Sequence, residues 1–313
     1  MEKRILWGVI LGVVVYAILG LVTDAREVAS VLLDFPYLVF LGALGLTVVN
    51  YSVRFAKWHY YLRLLGLQVA WPLSLNVFLA GLVMSVTPGK LGEVLKSLLL
   101  REAQQIPAAR TAPIVIAERL TDLLGLFVIA SLGVGTFTFG RWAFVVSLIV
   151  VVTAIIILNQ PRLIAWMLRI IAGLPVVGKL HDKLEEAYES MRQLVGWKAL
   201  TVTTLMSVIS WSMEGIAFYW IITALGGGGS VLDALFIFSM TTILGAVSFL
   251  PGGLGVTEGG MIGGLMLLGV FTTRAPAGAA TYLIRFATLW FGVLVGFFAL
   301  LRFRRVYGEV PEE

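Results

Sequence analysis

Apolar runs separated by short polar stretches dominate the chain, and most of them have the length of a membrane-crossing helix. Such a helix needs roughly 18 or more mostly apolar residues to cross about 30 Å of hydrocarbon. The pattern predicts full spans over Ile5–Val22, Pro36–Val53 (extending to about Leu65), Pro113–Phe137, Ala143–Leu158, Ala199–Leu225 and Ala277–Leu301. Two further apolar segments are interrupted. Leu73–Val86 breaks at Pro88-Gly89 and resumes as Leu91–Leu100, while Leu232–Leu250 breaks at Pro251-Gly252-Gly253 and resumes as Val256–Val270. Neither arm of the first hairpin spans comfortably. The arms of the second are long enough to span, so reading it as re-entrant rests on its likeness to the first.

That likeness is specific. Pro88-Gly89-Lys90-Leu91-Gly92-Glu93 and Pro251-Gly252-Gly253-Leu254-Gly255 carry the same Pro-Gly-x-Leu-Gly string 163 residues apart. In lipid, N–H and C=O groups freed by a helix break each cost several kcal/mol unless protein or a watery cavity satisfies them. Paired broken helices in matching positions of two halves point to a transport site. Leu65-Gly66 recurs as Leu225-Gly226 at an offset of 160, and Ile116–Thr121 echoes Tyr282–Ala287 at 166. The expected fold is therefore an all-α polytopic membrane protein of about six full transmembrane helices plus two broken or re-entrant hairpins. The hairpins form an inverted repeat about a pseudo-two-fold axis in the membrane plane. One integral membrane domain covers residues 1–313: a first span (5–22), a first repeat (36–137), a connecting span and linker (143–198), a second repeat (199–301) and a tail (302–313).

Composition agrees, with 59% hydrophobic and 13% charged residues and a mean hydropathy of +0.96. The absence of cysteine excludes disulfides and thiolate chemistry. Ile5–Val22 follows Lys3-Arg4 as a signal peptide would, but it is long for one and no small-x-small site follows, so it reads as a retained span. With the N-terminus in the cytoplasm and both hairpins returning to the side they entered, 17 of the 23 Lys and Arg fall inside, among them Arg54, Lys57 and Lys96. Only Arg26, Arg141 and Arg274 fall outside, and Lys90, Arg119 and Arg285 lie at membrane depth. This bias is the positive-inside pattern and puts both termini in the cytoplasm of a multi-pass cell-membrane protein.

The candidate chemistry sits at the breaks. The first N–H groups of a restarted helix lack intrahelical partners and favour an anion. Gly89, Gly92, Gly252, Gly253 and Gly255 let backbone approach a ligand without a Cβ in the way. Lys90 lies within the first break, and Arg119 and Arg285 lie in the spans after each hairpin. Charge at bilayer depth marks a pathway or a pair, and the planar arginine fork suits phosphate oxygens. These residues make a candidate phosphate site.

Each has a plainer reading. Arg119 lies three residues before Asp122 and is open to a structural ion pair with it. Arg285 has no acid three or four residues away, so Glu258 or Glu214 must serve if it is paired. Glu93 and Glu258 fall in the first turns of the restarted helices, where the helix dipole favours a carboxylate. Alternatively Glu93, Glu258, Glu118 and Glu214 are coupling carboxylates or contacts for an amino head group. The ladders Gly255/Gly259/Gly263 and Gly260/Gly264 read as helix-packing faces. Lys179–Gly196, with Leu180, Leu184, Ala187, Met191 and Leu194 at helical spacing, reads with Pro161–Ala172 as a cytoplasmic interfacial linker. Arg302-Phe303-Arg304-Arg305 reads as a stop-transfer anchor.

The Pro-Gly-Lys-Leu-Gly-Glu segment, Pro-Gly-Gly-Leu-Gly-Val-Thr-Glu, the Asn50–Gly66 stretch with Arg54 and Trp58, and Glu118-Arg119 together resemble the lysylphosphatidylglycerol synthase transmembrane family, often described as flippase-like. The resemblance runs from about residue 5 to 301. In the multidomain synthases it implies a module that moves the modified lipid between leaflets while a soluble domain performs aminoacyl transfer. This sequence lacks that domain, so the resemblance implies a stand-alone translocator of a phospholipid or a polyprenyl-phosphate-linked lipid. The implied partners are membrane lipids and a lipid-modifying or glycosyltransferase enzyme, with no nucleic acid; the oligomeric state is left open. No Gly-x-Ser-x-Gly elbow or P-loop is present, and His59 and His181 form no metal set. No catalytic residue, cofactor or metal is expected. An ion or small-solute carrier and an intramembrane lipid-phosphate transferase are the alternatives.

Overall fold

The computed structural model describes residues 25–87, 91–133 and 181–307, with isolated positions between 145 and 160. The predicted spans Ile5–Val22 and Ala143–Leu158, the Pro161–Ala172 segment, and Pro88, Gly89 and Lys90 lie outside the described residues, apart from those isolated positions. Every regular element among the described residues is helical. A short helix α1 (Ala25–Leu33) precedes α2 (Tyr37–Leu64). The first hairpin is α3 (Trp71–Gly81) with a 3-10 turn at Leu82–Met84, then a second 3-10 turn at Leu91–Val94 leading into α4 (Leu95–Gln104). Then come α5 (Ala108–Ser131), α6 (His181–Leu194) and α7 (Trp197–Ala224). The second hairpin is α8 (Val231–Val247) and α9 (Val256–Leu267). Finally α10 (Arg274–Arg285) passes through a π segment at Phe286–Trp290 into α11 (Phe291–Tyr307).

The two halves share local rules as well as element order. Helices α2 and α7 each run 28 residues, their bounds 160 residues apart. Each ends in the same left-handed glycine cap: Gly66 has φ 69° and Gly226 φ 74°. In each, the amide after the glycine reaches back five residues, Leu67 to the Leu62 carbonyl (3.0 Å) and Gly227 to that of Ile222 (2.9 Å). This satisfies carbonyls that the last turn would leave bare. Helices α3 and α8 also begin 160 residues apart, one with Pro72 in its first turn and the other with Ser230 and Asp233 capping each other.

Packing repeats the pattern. Tyr61 meets Thr203, Lys57 meets Ser207, and the Asn50 amide donates to the Ser210 carbonyl at 2.8 Å, so α2 and α7 run antiparallel and cross where equivalent residues touch. The first hairpin packs on α11 of the second half, and α8 packs on α5 of the first. Gly296 of α11 lies so close to the Leu82–Val83 backbone that no Cβ fits between them. One apolar core gathers α5, α7, α8, α9 and α10, and another, around Trp58, Tyr61, Phe78 and Phe303, gathers α2, α3, α4 and α11.

Among the described residues, three helical stretches are long and apolar enough to cross a membrane: Tyr37–Leu64, Trp197–Ala224 and Arg274–Tyr307. The predicted Pro113–Phe137 span is instead Ala108–Ser131, and it falls short of their apolarity because Arg110, Glu118, Arg119 and Asp122 sit along it. The amphipathic linker helix forms as expected, but its Met191 and Leu194 are buried against the bundle and it packs on α5. Of the glycine ladders, Gly260 and Gly264 of α9 face Thr241 and Ile237 of α8 at packing distance, whereas Gly255, Gly259 and Gly263 face open space.

Candidate functional site

The site begins with a stripe of polar residues on α2. Asn50, Arg54, Lys57 and Tyr61 recur at helical spacing on one face, and all four are buried. Arg54, Lys57 and Lys96, expected on the cytoplasmic side, are 5%, 1% and 1% exposed, inside the bundle. A buried charge is tolerated only with partners. Lys57 Nζ donates to Asp122 Oδ1 at 2.6 Å and to Ser207 Oγ at 2.7 Å. Lys96 pairs with Glu118 and, at 3.4 Å, with Glu93, and its ammonium lies 4.6 Å from the Trp58 ring centre.

Arg119 lies between two acids, its Nη2 3.2 Å from Asp122 Oδ2 and 3.4 Å from Glu93 Oε2. The structural pair with Asp122 is real, and it is shared. Arg54 approaches Glu93 at 3.7 Å and stacks 6.0 Å over Trp211. Two nitrogens in this cluster, Arg54 Nη2 and Arg119 Nε, are buried with no hydrogen-bond acceptor among the described residues.

In the second half, Arg285 Nε donates to Glu258 Oε1 at 2.6 Å and Nη2 donates to the Gly252 carbonyl at 2.7 Å. Of the two acids named for Arg285, Glu258 is its hydrogen-bonded partner. The other Glu258 oxygen accepts from the Gly255 amide at 2.7 Å, a cap closed within the same helix. The start of α9 is thus capped by its own carboxylate and is not the open anion site expected of it. The break needs left-handed backbone at Gly252, Gly253 and Gly255 (φ 61°, 67° and 85°), and Phe249 adopts φ 53° beside them.

Between the breaks lies a cavity of about 280 Å³. Arg54, Arg119, Asp122, Glu214 and Arg285 reach its wall, with Ser85, Thr87, Gly252 and Gly253 from the two breaks. Gly92, Gly255, Glu93, Glu118 and Glu258 do not line it. Gly92 packs against Thr87 and Met84, and its amide donates to Thr87 Oγ1 at 2.8 Å. Glu93, Glu118 and Glu258 hold the cations from behind. Sequence reasoning missed Arg54 as a wall residue, although its place on a polar stripe within an apolar helix was a readable signal. At one edge the lining consists of Ile116, Phe249 and Leu250, which are 52%, 67% and 41% exposed. The cavity therefore has an apolar mouth between α5 and the end of α8. No group of His, Cys, Asp or Glu among the described residues could hold a metal ion.

The family model for the lysylphosphatidylglycerol synthase TM region matches residues 9–296. The chain belongs to that family. Its relatives include a UPF0104 membrane protein of Methanothermobacter thermautotrophicus, 25% identical over 90% of each chain. Another UPF0104 membrane protein, from Pyrococcus horikoshii, is 22% identical over 98% of each chain. Membership and the apolar helices identify an integral membrane protein of this family.

Proposed function

We propose that this protein translocates a phosphate-bearing lipid between leaflets, with the head group passing through the charged cavity and the acyl or prenyl chains remaining in the bilayer. The observation that carries the reading is the combination of an apolar mouth with buried guanidinium nitrogens that have no acceptor among the described residues. A soluble ion or small solute has no use for such a mouth, whereas a lipid must keep its tails outside while its head group is desolvated. Arg54 and Arg119 are the phosphate contacts in this reading. Arg285, already satisfied by Glu258 and Gly252, holds the second break in shape.

The two hairpins then act as an inverted pair at mid-membrane, a reading supported by the antiparallel α2/α7 crossing and the exchanged packing of α3 and α8. Both termini face the cytoplasm of the cell membrane. Movement is passive or driven by an ion gradient. The test is reconstitution into liposomes carrying a fluorescent phospholipid in both leaflets, with a membrane-impermeant quencher added outside. Wild-type protein is expected to expose the inner pool to the quencher, and Arg54→Gln/Arg119→Gln to slow this at least tenfold at a temperature where both are folded. Equal rates in folded wild type and variant would refute the site. Rates no faster than empty liposomes would move the carrier and transferase readings ahead.

A further inference from the structure

The cavity wall carries an unused acceptor as well as unused donors. The donors are Arg54 Nη2 and Arg119 Nε, both buried with no acceptor among the described residues. The acceptor belongs to Asp122, which is 3% exposed and reaches the same wall. Its Oδ1 is filled by Lys57 Nζ at 2.6 Å and by Ser207 Oγ at 3.0 Å. Its Oδ2 accepts no hydrogen bond among the described residues. Arg119 Nη2 covers that oxygen at 3.2 Å, within range for an ion pair but not aligned to donate. As a carboxylate in ion pairs with Lys57 and Arg119, Asp122 accepts and does not donate.

A bare phosphate could answer only the donors. A head group that also brings a donor of its own could answer all three atoms. We propose that the site selects a phosphodiester lipid whose head-group alcohol carries an O–H or N–H, which Asp122 Oδ2 accepts while Arg54 and Arg119 take the phosphate oxygens. The inference rests on the cavity being a phosphate site. Arg119 is the hinge of the exchange. When it turns to a phosphate oxygen it uncovers Oδ2, and the donor of the head group takes its place there. Oδ1 keeps its bonds from Lys57 and Ser207 throughout, so the carboxylate stays held from behind.

Glycerol and ethanolamine phosphodiesters carry such a donor two carbons beyond the ester oxygen, so one compact head group reaches both partners. A methyl phosphodiester has the same phosphate and no donor. Binding it would strip Oδ2 of Arg119 and leave a buried acceptor unpaired, which is costly for a charged group. Sites built around a buried hydrogen-bonding group reject ligands that cannot satisfy it. Glu214 is the other carboxylate on the wall and serves as the control.

The experiment measures movement of acyl-chain-labelled phosphatidylglycerol, phosphatidylethanolamine and phosphatidylmethanol by the full chain in liposomes, with a membrane-impermeant quencher outside. Wild type is expected to move at least one of the first two about tenfold or more faster than phosphatidylmethanol. The glycerol lipid ahead alone names a hydroxyl as the donor, the ethanolamine lipid ahead alone names an ammonium, and both ahead support either donor. Asp122→Leu/Lys57→Met removes the acceptor together with the ammonium that holds it, and is expected to bring all three rates within about twofold of one another. Glu214→Gln is expected to keep the wild-type ranking. Phosphatidylmethanol moving as fast as the other two in wild type overturns the selection, whatever the variants do. A ranking that survives in the folded double variant, or is lost in Glu214→Gln alone, overturns the assignment to Asp122. Wild-type rates no faster than empty liposomes for all three lipids would instead overturn translocation itself, and the inference with it.

Discussion

The Arg285–Glu258 pair makes a quantitative demand on the second break. The two charges are 2.6 Å apart, with side chains 10% and 0% exposed. At an effective dielectric constant near 20, that separation corresponds to an attraction of roughly 6 kcal/mol. Desolvation of two ions offsets most of it, so the intact pair contributes little net stability. Breaking it is different. Arg285→Met leaves a fully buried carboxylate with only the Gly255 amide as a donor, and frees the Gly252 carbonyl from its 2.7 Å bond. Loss of one member of a buried pair costs about 3–5 kcal/mol, and Glu258→Gln is expected in the same range. Arg285→Met/Glu258→Gln carries neither charge and is expected within about 2 kcal/mol of wild type, a coupling of several kcal/mol.

The assay is a double-mutant cycle on denaturant unfolding in mixed micelles, with apparent Tm as a second readout. Each single variant is expected to lower Tm on the order of 10 °C, and the double variant to recover most of that. Single variants costing less than about 1 kcal/mol, or costs that simply add, would refute the argument. Either result would mean that Arg285 is solvated in the cavity, not locked to the break.

Gly296→Ala drives a methyl into the Leu82–Val83 backbone, so a loss of about 1–3 kcal/mol is expected, read as a lower Tm without loss of helical signal. Gly66→Ala and Gly226→Ala meet no neighbour within 4 Å but force a Cβ into left-handed backbone; each is expected to cost about 1 kcal/mol, and a large difference between them would argue against equivalent caps. Ile116→Trp at the exposed mouth is expected to slow lipid movement severalfold with Tm unchanged, and an unaffected rate would place the entry route elsewhere.

Much of the frame was legible because its signals are local. Pro251-Gly252-Gly253 marks the second break, and Leu65-Gly66 and Leu225-Gly226 mark the ends of two long helices 160 residues apart. The charge cluster was less legible because its stability depends on other helices. The apolar pattern extends the span to about Leu65, as α2 does to Leu64, but places Arg54 and Lys57 at its cytoplasmic end and not within the charged cluster. What keeps those charges inside is Asp122 and Ser207, 65 and 150 residues from Lys57. Glu258 was foreseen as one of two partners for Arg285. Its second bond, to Gly255, was the part not foreseen, and that bond closes the helix start to ligands.

Where the halves differ is as informative as where they agree. At the 160 offset, the positions matching Arg54 and Lys57 are Glu214 and Ala217; at the 166 offset that relates Arg119 to Arg285, Asp122 matches Thr288. The second half thus lacks both members of the Lys57–Asp122 pair. Buried charges come and go this way with least cost, since removing both partners is near neutral while removing one strands the other. Arg119 and Arg285 match at that offset, but of the two only Arg119 retains a buried nitrogen with no acceptor among the described residues. Helices with matching bounds therefore enclose a one-sided constellation. One arginine fixes the backbone of a break, and its counterpart is shared between Asp122 and Glu93. A symmetric pair of closed arginines would only brace the cavity; the proposed phosphate site requires this asymmetry.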